Sequence, residues 1–296
     1  MKILITGNLG YVGSVLPTIL KKKVKSIVGY DIGYFKDCLV EEFTDFVDEQ
    51  ILGDIRFFDE QILKNIDCVV HLAALSNDPL GEFDPKITQE INHLASVNLA
   101  KLSKKNNVKK FIFISTQSIY GISRANEDLD EYTSQKNPVT EYAKTKFEAE
   151  KEIMKMNDKN FNVVSLRPAT VFGYSPRFRS DIVYNNLLCS AYTESEIIIK
   201  SDGTPIRPVL HINDLCDVII KSIFTKNNNI YGNCFNVGYR GGNFTVNQIA
   251  QYAANVVGNC EIIYSKNPSA DERTYSISFK RLKKEFHGIN LTPNLE

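Results

Sequence analysis

The feature that most limits what this chain can fold into lies in its first thirteen residues. Ile3-Leu4-Ile5-Thr6 is a short apolar run containing β-branched residues, and Gly7-Asn8-Leu9-Gly10-Tyr11-Val12-Gly13 follows directly. A strand that enters a G-x-x-G-x-x-G loop and then starts a helix meets a physical need. The first glycine permits a tight turn, and the later ones let backbone amides and a helix come close together. A pyrophosphate can then rest on amides at the positive end of the helix. Gly7, Gly10, Tyr11, Val12 and Gly13 are therefore the candidate phosphate cradle. Three glycines can also mark an ordinary turn, and their place at the first strand-to-helix crossing favours the cradle.

The pattern downstream continues the theme. Helical spacing over Gly13–Lys22 is followed by a strand over Lys25–Tyr30 that ends at Asp31. A weak strand at Ile51–Gly53 and a short helix at Glu60–Lys64 precede a fully apolar strand, Cys68–His71. A long helix over Thr88–Asn106 leads to the strand Lys110–Ser115, then a helix over Val139–Met156 and a strand at Val163–Leu166. Such alternation predicts βαβ crossovers, hence an α/β fold with a Rossmann-type, doubly wound parallel sheet. Beyond Arg167 the texture changes. Gly173–Ser180 and Lys200–Pro208 read as loops around a cleft, Asp214–Phe224 and Val246–Val256 as helices, and Cys234–Val237 as a strand returning to the main sheet. No final helix is expected after Leu291-Thr292-Pro293. The expected division is a cofactor domain of residues 1–170 plus about 212–238, with a smaller, interleaved substrate domain of 171–211 and 239–296.

Asp31 ends the second strand, where a carboxylate can accept hydrogen bonds from both ribose hydroxyls of NAD. It would repel a 2′-phosphate, and no arginine follows immediately, so NAD is expected over NADP. The alternative for Asp31 is a turn or cap acid. Composition agrees with a small anionic ligand rather than a polymer. The 35 basic and 35 acidic residues cancel, whereas a nucleic-acid surface usually needs a basic excess. With 43% apolar residues the chain can bury a core, and its length suggests about two compact units. No segment reads as a signal peptide or a membrane span. Six dispersed cysteines and four unclustered histidines predict small buried thiols, no metal, and a cytoplasmic setting.

Tyr142 and Lys146 stand four apart on a predicted helix and so share a face. A neighbouring ammonium favours the phenolate, letting tyrosine accept a proton from a substrate hydroxyl near neutral pH. Thr116, just past the strand Lys110–Ser115, can bond the same hydroxyl. Tyr-x-x-x-Lys alone also occurs on solvated helix faces. The order of glycine loop, strand-end threonine and Tyr-x-x-x-Lys is far more specific.

Over essentially its whole length the chain resembles the extended short-chain dehydrogenase/reductases that act on nucleotide sugars. The segments that carry the resemblance are TGNLGYVGS, HLAAL (71–75), STQSIYG (115–121), Tyr142-x-x-x-Lys146, LRPATVFG (166–173) and DGTPIRPVLHINDL (202–215). The resemblance implies that Asp54 and Ile55 flank adenine. It also implies that Leu72, Ala73, Ala74 and Pro168 line the dinucleotide path, and that Asn92 stands behind the nicotinamide half. It implies a nucleoside-diphosphate sugar substrate and a homodimer. Dehydratases of this family carry Asp-Glu after the threonine, decarboxylases a glutamate where Ser118 stands, and the fucose-synthase type a cysteine there. Gln117 and Ser118 disfavour all three. Oxidation or reduction at one carbon remains, with C4 expected, with or without inversion.

Thr170 stands where UDP-sugar epimerases usually have asparagine. RPATVFGYSPRFR resembles a subgroup containing GDP-heptose 4-dehydrogenase of bacterial capsule synthesis. Thr116, Gln117, Ser118 and Thr170 are the expected substrate contacts, joined by Arg177, Arg179, Arg207 and Arg273 as diphosphate ligands. Surface ion pairing is the alternative for the arginines. His211 reads as structural. The competing functions are reduction of a non-nucleotide or 4-keto sugar carbonyl, and non-catalytic NAD binding.

Overall fold

The computed structural model describes residues 1–41, 46–76, 78–123, 128–265, 274–289, 291 and 295. The first part runs β1 (Lys2–Thr6), α1 (Tyr11–Leu20), β2 (Ser26–Asp31), β3 (Glu49–Leu52), β4 (Cys68–His71), α2 (Asp78–Phe83), α3 (Pro85–Gln89), α4 (Ser96–Lys105), β5 (Lys110–Ile114), α5 (Glu141–Met154) and β6 (Asn162–Pro168). After it come β7 (Thr170–Phe172), α6 (Val183–Glu194), β8 (Glu196–Ile199), β9 (Ile206–His211), α7 (Ile212–Phe224), β10 (Asn233–Val237), β11 (Asn243–Thr245), α8 (Val246–Val257), β12 (Glu261–Tyr264) and α9 (Lys280–Glu285).

Seven strands form one parallel sheet in the order β3-β2-β1-β4-β5-β6-β10. Pleating sends Ile3 and Ile5 to one face and Leu4 to the other. The first face packs on Leu16 and Leu20 of α1 and on Ile219 and Ile223 of α7. The second packs on Leu99 and Ala100 of α4 and on Ala149 and Ile153 of α5. Helices on both faces make the sheet doubly wound, as the alternation predicts. Strand order reverses between β1 and β4, and ligands of such sheets bind in the crevice beyond that point.

Two small sheets, β11-β9-β7 and β12-β8, share a separate core that includes Phe172, Leu187, Ile197, Val209 and Ala253. The structure corrects several local expectations. The helix expected over Thr88–Asn106 is α3 and α4 joined by a π-helical turn, Glu90–Ala95. Part of the loop expected at Lys200–Pro208 is strand β9, and α6 was not expected at all. Helix α9 forms before Leu291, in a stretch where no element was expected. The six cysteines are free thiols, with Cys68 and Cys216 buried as expected but Cys38 exposed.

Candidate active site

The glycine loop lies at the switch point, and at Gly7 and Gly13 a side chain has no room. Gly7 has φ +75°, and a Cβ there would stand 2.6 Å from the Ala73 nitrogen on β4's exit. A Cβ on Gly13 would stand 2.0 Å from the Gly7 oxygen. Gly10, which precedes α1, makes no side-chain cap, and the helix has no acid in its first turn. The amides at its positive end therefore suit an anion. The Asp31 carboxylate accepts bonds from Leu9 N at 3.1 Å and Gly33 N at 2.8 Å, which aim it across the loop. Burial raises its pKa, and those backbone bonds oppose the rise. Amide cradle and aimed carboxylate together fit a dinucleotide.

Further along the crevice, Leu72, Ala73 and Ala74 follow β4, and Leu72 N donates to Thr6 O. The π turn gives Asn92 its position: its Oδ1 accepts from Leu75 N at 2.8 Å and its Nδ2 donates to Leu75 O at 3.0 Å. Asn92 thus holds the backbone of the loop that leaves β4. Beneath it His71 is fully buried between Thr6 and Ser96. Ser96 donates to Asn92 O, so His71 Nε2 donates to Ser96 and its Nδ1 accepts from Thr6. Burial, aided by the nearby Lys146 charge, pushes the His71 pKa down to about 3. Asp54 caps the turn Ile55–Phe57 and pairs with Arg56 at 2.6 Å, with Ile55 buried beside it. Pro168 ends β6, in register with Val237 of β10.

Tyr142 and Lys146 occupy the first half of α5, whose amino end is capped by Thr140 and tied to α2 by Glu141 N donating to Glu82. The Lys146 ammonium sits 4.2 Å from the centre of the Phe113 ring of β5 and is 2% exposed. Its burial pushes its pKa down to about 7. Thr116, just past β5, caps the turn Gln117–Tyr120, which packs on α5. Its hydroxyl accepts from Ser118 N and donates to Ser118 Oγ, both at 3.1 Å. Gln117 turns inward and is 1% exposed; its Nε2 donates to Arg167 O and Val237 O, holding the ends of β6 and β10. Thr116 and Lys146 thus lie at the carboxyl end of β5, with Tyr142 one turn before Lys146 on α5, while Gln117, expected to contact substrate, faces the core instead.

Below them lies a buried network that sequence reasoning missed. Glu150, one turn beyond Lys146, accepts from Arg167 Nη2 at 2.5 Å and Ser165 Oγ at 2.7 Å. Arg167 Nη1 reaches Tyr120 OH, which donates to Asn236 Oδ1 at 2.9 Å. Burial alone would raise the Glu150 pKa, but Arg167 beside it holds it below its ordinary value. The i+4 spacing from Lys146 was its one sequence signal.

The remaining residues lie on the segment Gly173–Asp181 and on β7 and β9. Arg177 places its guanidinium 4.2 Å from the centre of the Phe35 ring. Arg179 pairs with Asp181 and donates to Ser76 Oγ at 3.1 Å, near enough to Tyr142 and Tyr11 to interact electrostatically. Both arginines thus engage side chains of the segments that follow β2 and β4. Thr170 pairs with Val209 in the β7–β9 ladder, and Arg207 pairs with Phe244 across β9–β11. Ile206 N donates to Thr274 Oγ1, next to Arg273, which lies outside the described residues. His211 caps α7, in keeping with a structural role. Asn185 was another miss: its amide joins Gly173 N, Arg179 O and Tyr11 OH. An asparagine within a helix carries no pattern that announces this.

Comparison with known proteins agrees with the geometry. The chain is 29% identical over 256 residues to an uncharacterized UDP-glucose epimerase of Bacillus subtilis, covering 80% of this chain and 77% of that one. It is 26% identical over 281 residues to UDP-glucuronic acid decarboxylase 1 of Arabidopsis thaliana, covering 92% of this chain but only 62% of the relative. The crystal structure of UDP-glucuronic acid 4-epimerase from Bacillus cereus, in complex with UDP-glucuronic acid and NAD, superposes with a TM-score of 0.81 at 26% identity. The match covers 100% of this chain and 95% of that one. The model of the NAD dependent epimerase/dehydratase family matches residues 3–238, and the chain belongs to that family of NAD-dependent, extended short-chain dehydrogenase/reductases acting on nucleotide sugars.

Proposed function

We propose that this enzyme carries out NAD-dependent oxidation and reduction at C4 of a nucleoside-diphosphate sugar, as a 4-epimerase or 4-dehydrogenase serving surface-polysaccharide precursors. The observation that carries the reading is that the turn capped by Thr116 packs on α5, the helix of Tyr142 and Lys146, with no carboxylate at 117 or 118. Dehydration and decarboxylation need an added acid or base there, and simple redox chemistry does not.

Tyr142 takes the proton of the sugar hydroxyl, and Thr116 with Ser118 orients that hydroxyl. Lys146, when charged, draws Tyr142 toward phenolate through its field. Gly7, Gly10, Tyr11, Val12 and Gly13 hold the pyrophosphate of NAD, Asp31 its adenosine ribose, and Leu72, Ala73, Ala74 and Pro168 its path to Lys146. Bound NAD supplies the hydride acceptor. Arg207 and Arg273 hold the sugar diphosphate. The cofactor part comprises residues 1–170 with about 212–238, and the substrate part the remainder.

The test is incubation with UDP-, GDP-, CDP- and dTDP-sugars, read by mass spectrometry for a two-hydrogen loss and by NMR for inversion at C4. Inversion supports an epimerase and a two-hydrogen loss a dehydrogenase. Water loss or carbon dioxide release would refute the reading. UDP-sugars lead the panel because the relatives are named for them. GDP-sugars follow because of the RPATVFGYSPRFR segment.

A further inference from the structure

The segment Gly173–Asp181 is fastened to the cofactor half at three places, and those places lie along the length of the dinucleotide crevice. At the adenosine end, just beyond Asp31, Arg177 stacks on Phe35 and Val40 N donates to Pro176 O at 2.8 Å. Tyr174 hydrogen-bonds Glu41 on the same loop. At the centre, Ser175 Oγ donates to the Tyr11 carbonyl at 2.7 Å and lies 2.9 Å from Ser14 Oγ. Tyr11 OH donates to Gly173 O at 2.6 Å. At the nicotinamide end, Arg179 reaches Ser76, two residues past Ala74, at 3.1 Å.

We infer that Gly173–Asp181 is a strap over bound NAD, that Arg177 on Phe35 is its clasp, and that the strap retains the cofactor between turnovers. The fastenings are hydrogen bonds and one cation–π contact, individually weak, so the strap can lift without the core unfolding. The central fastening is to the backbone and hydroxyl of Tyr11 inside the phosphate loop, so a filled loop and a closed strap favour one another. Neither Arg177 nor Phe35 belongs to the reacting constellation.

The experiment loads the full chain with NADH and follows loss of nicotinamide fluorescence on dilution into excess NAD, with no sugar present. Phe35→Ala and Arg177→Met each release NADH about three- to tenfold faster than wild type, the range expected for one cation–π contact. The double variant is no faster than the faster single one, and Arg177→Lys, which keeps the cation, lies near wild type. Thermal melts matched to wild type exclude misfolding. Unchanged release in either folded variant, or effects that multiply, would overturn the strap. Because this readout needs no sugar, a strap that behaves as stated beside an inactive sugar panel refutes only the catalytic reading.

Discussion

Lys146 offers a quantitative check on the site that requires no substrate. An ammonium at 2% exposure above an aromatic ring has lost most of its hydration, and burial brings its pKa from 10.5 to about 7. Unfolding returns it to water. Between pH 7 and about 10 the unfolded chain therefore binds the proton and the folded chain does not, so stability rises with pH across that window. Below about pH 6 both states are protonated and the contribution is flat. Integrating the two titrations from pH 7 to 8.5 gives about 1.6 kcal/mol of added stability in the ligand-free protein. Lys146→Met keeps a long apolar stem and removes the proton, so its gain over the same interval falls by that amount. Urea titrations at pH 6, 7, 7.75 and 8.5, analysed with a common slope, supply the comparison. The interval stops at 8.5 because the buried Cys68 thiol, pushed up to about 12, lowers stability as pH rises further. That thiol is present in both proteins and cancels in the difference. Identical pH profiles for wild type and Lys146→Met would refute the burial-driven shift, and with it the picture of Lys146 as a desolvated partner of Tyr142.

Four more outcomes follow from the same geometry. Tyr142→Phe binds NADH with affinity close to wild type in a fluorescence titration, while turnover of any active sugar falls by a factor of about 10²–10⁴, the usual worth of a general base. Arg167→Leu leaves Glu150 charged and buried without its partner, which costs about 3–5 kcal/mol in a denaturant melt; a loss under 1 kcal/mol would show that the pair is solvated. His71, depressed to about 3, keeps its folded form neutral while the unfolded form protonates below about 6.5. Stability therefore falls as pH drops from 6.5 toward 3, and His71→Gln flattens that acid limb in a melt series. A homodimer built on the face of the exposed Leu94, on the π turn beside α4, would lose its contact in Leu94→Arg and sediment as a monomer, and an unchanged sedimentation coefficient would count against that face.

Periodicity located the strands β1, β4 and β5 to within one residue because each is a short apolar run buried on both faces, and such runs have few other uses. It also set Tyr142 and Lys146 on one helix face, since the four-residue spacing is a property of the helix itself. It failed where an element draws its reason from elsewhere. Nothing local in Thr88–Asn106 announces a π turn; the turn directs Asn92 to Leu75, a residue seventeen positions earlier. Strand β9 was hidden by Pro208, tolerated in a three-stranded sheet whose neighbours β7 and β11 each have three residues. Helix α6 was hidden by its Asn-rich, weakly patterned face.

The arginines mark the boundary most clearly. Arg177 and Arg179 carry the right chemistry for a diphosphate, and that chemistry is all a sequence can state of them. Their neighbours, Phe35 and Ser76, stand more than a hundred residues earlier in the chain and meet them only once β2, β4 and the Gly173–Asp181 segment gather over one crevice. Local order and residue type by themselves determined the parallel sheet, the glycine loop and the shared helix face of Tyr142 and Lys146, because backbone geometry and helix pitch act over a few residues. What the Gly173–Asp181 segment is fastened to, what lies buried beside Lys146, and which polar groups face inward were decided by long-range packing, which alone chooses a side chain's partners.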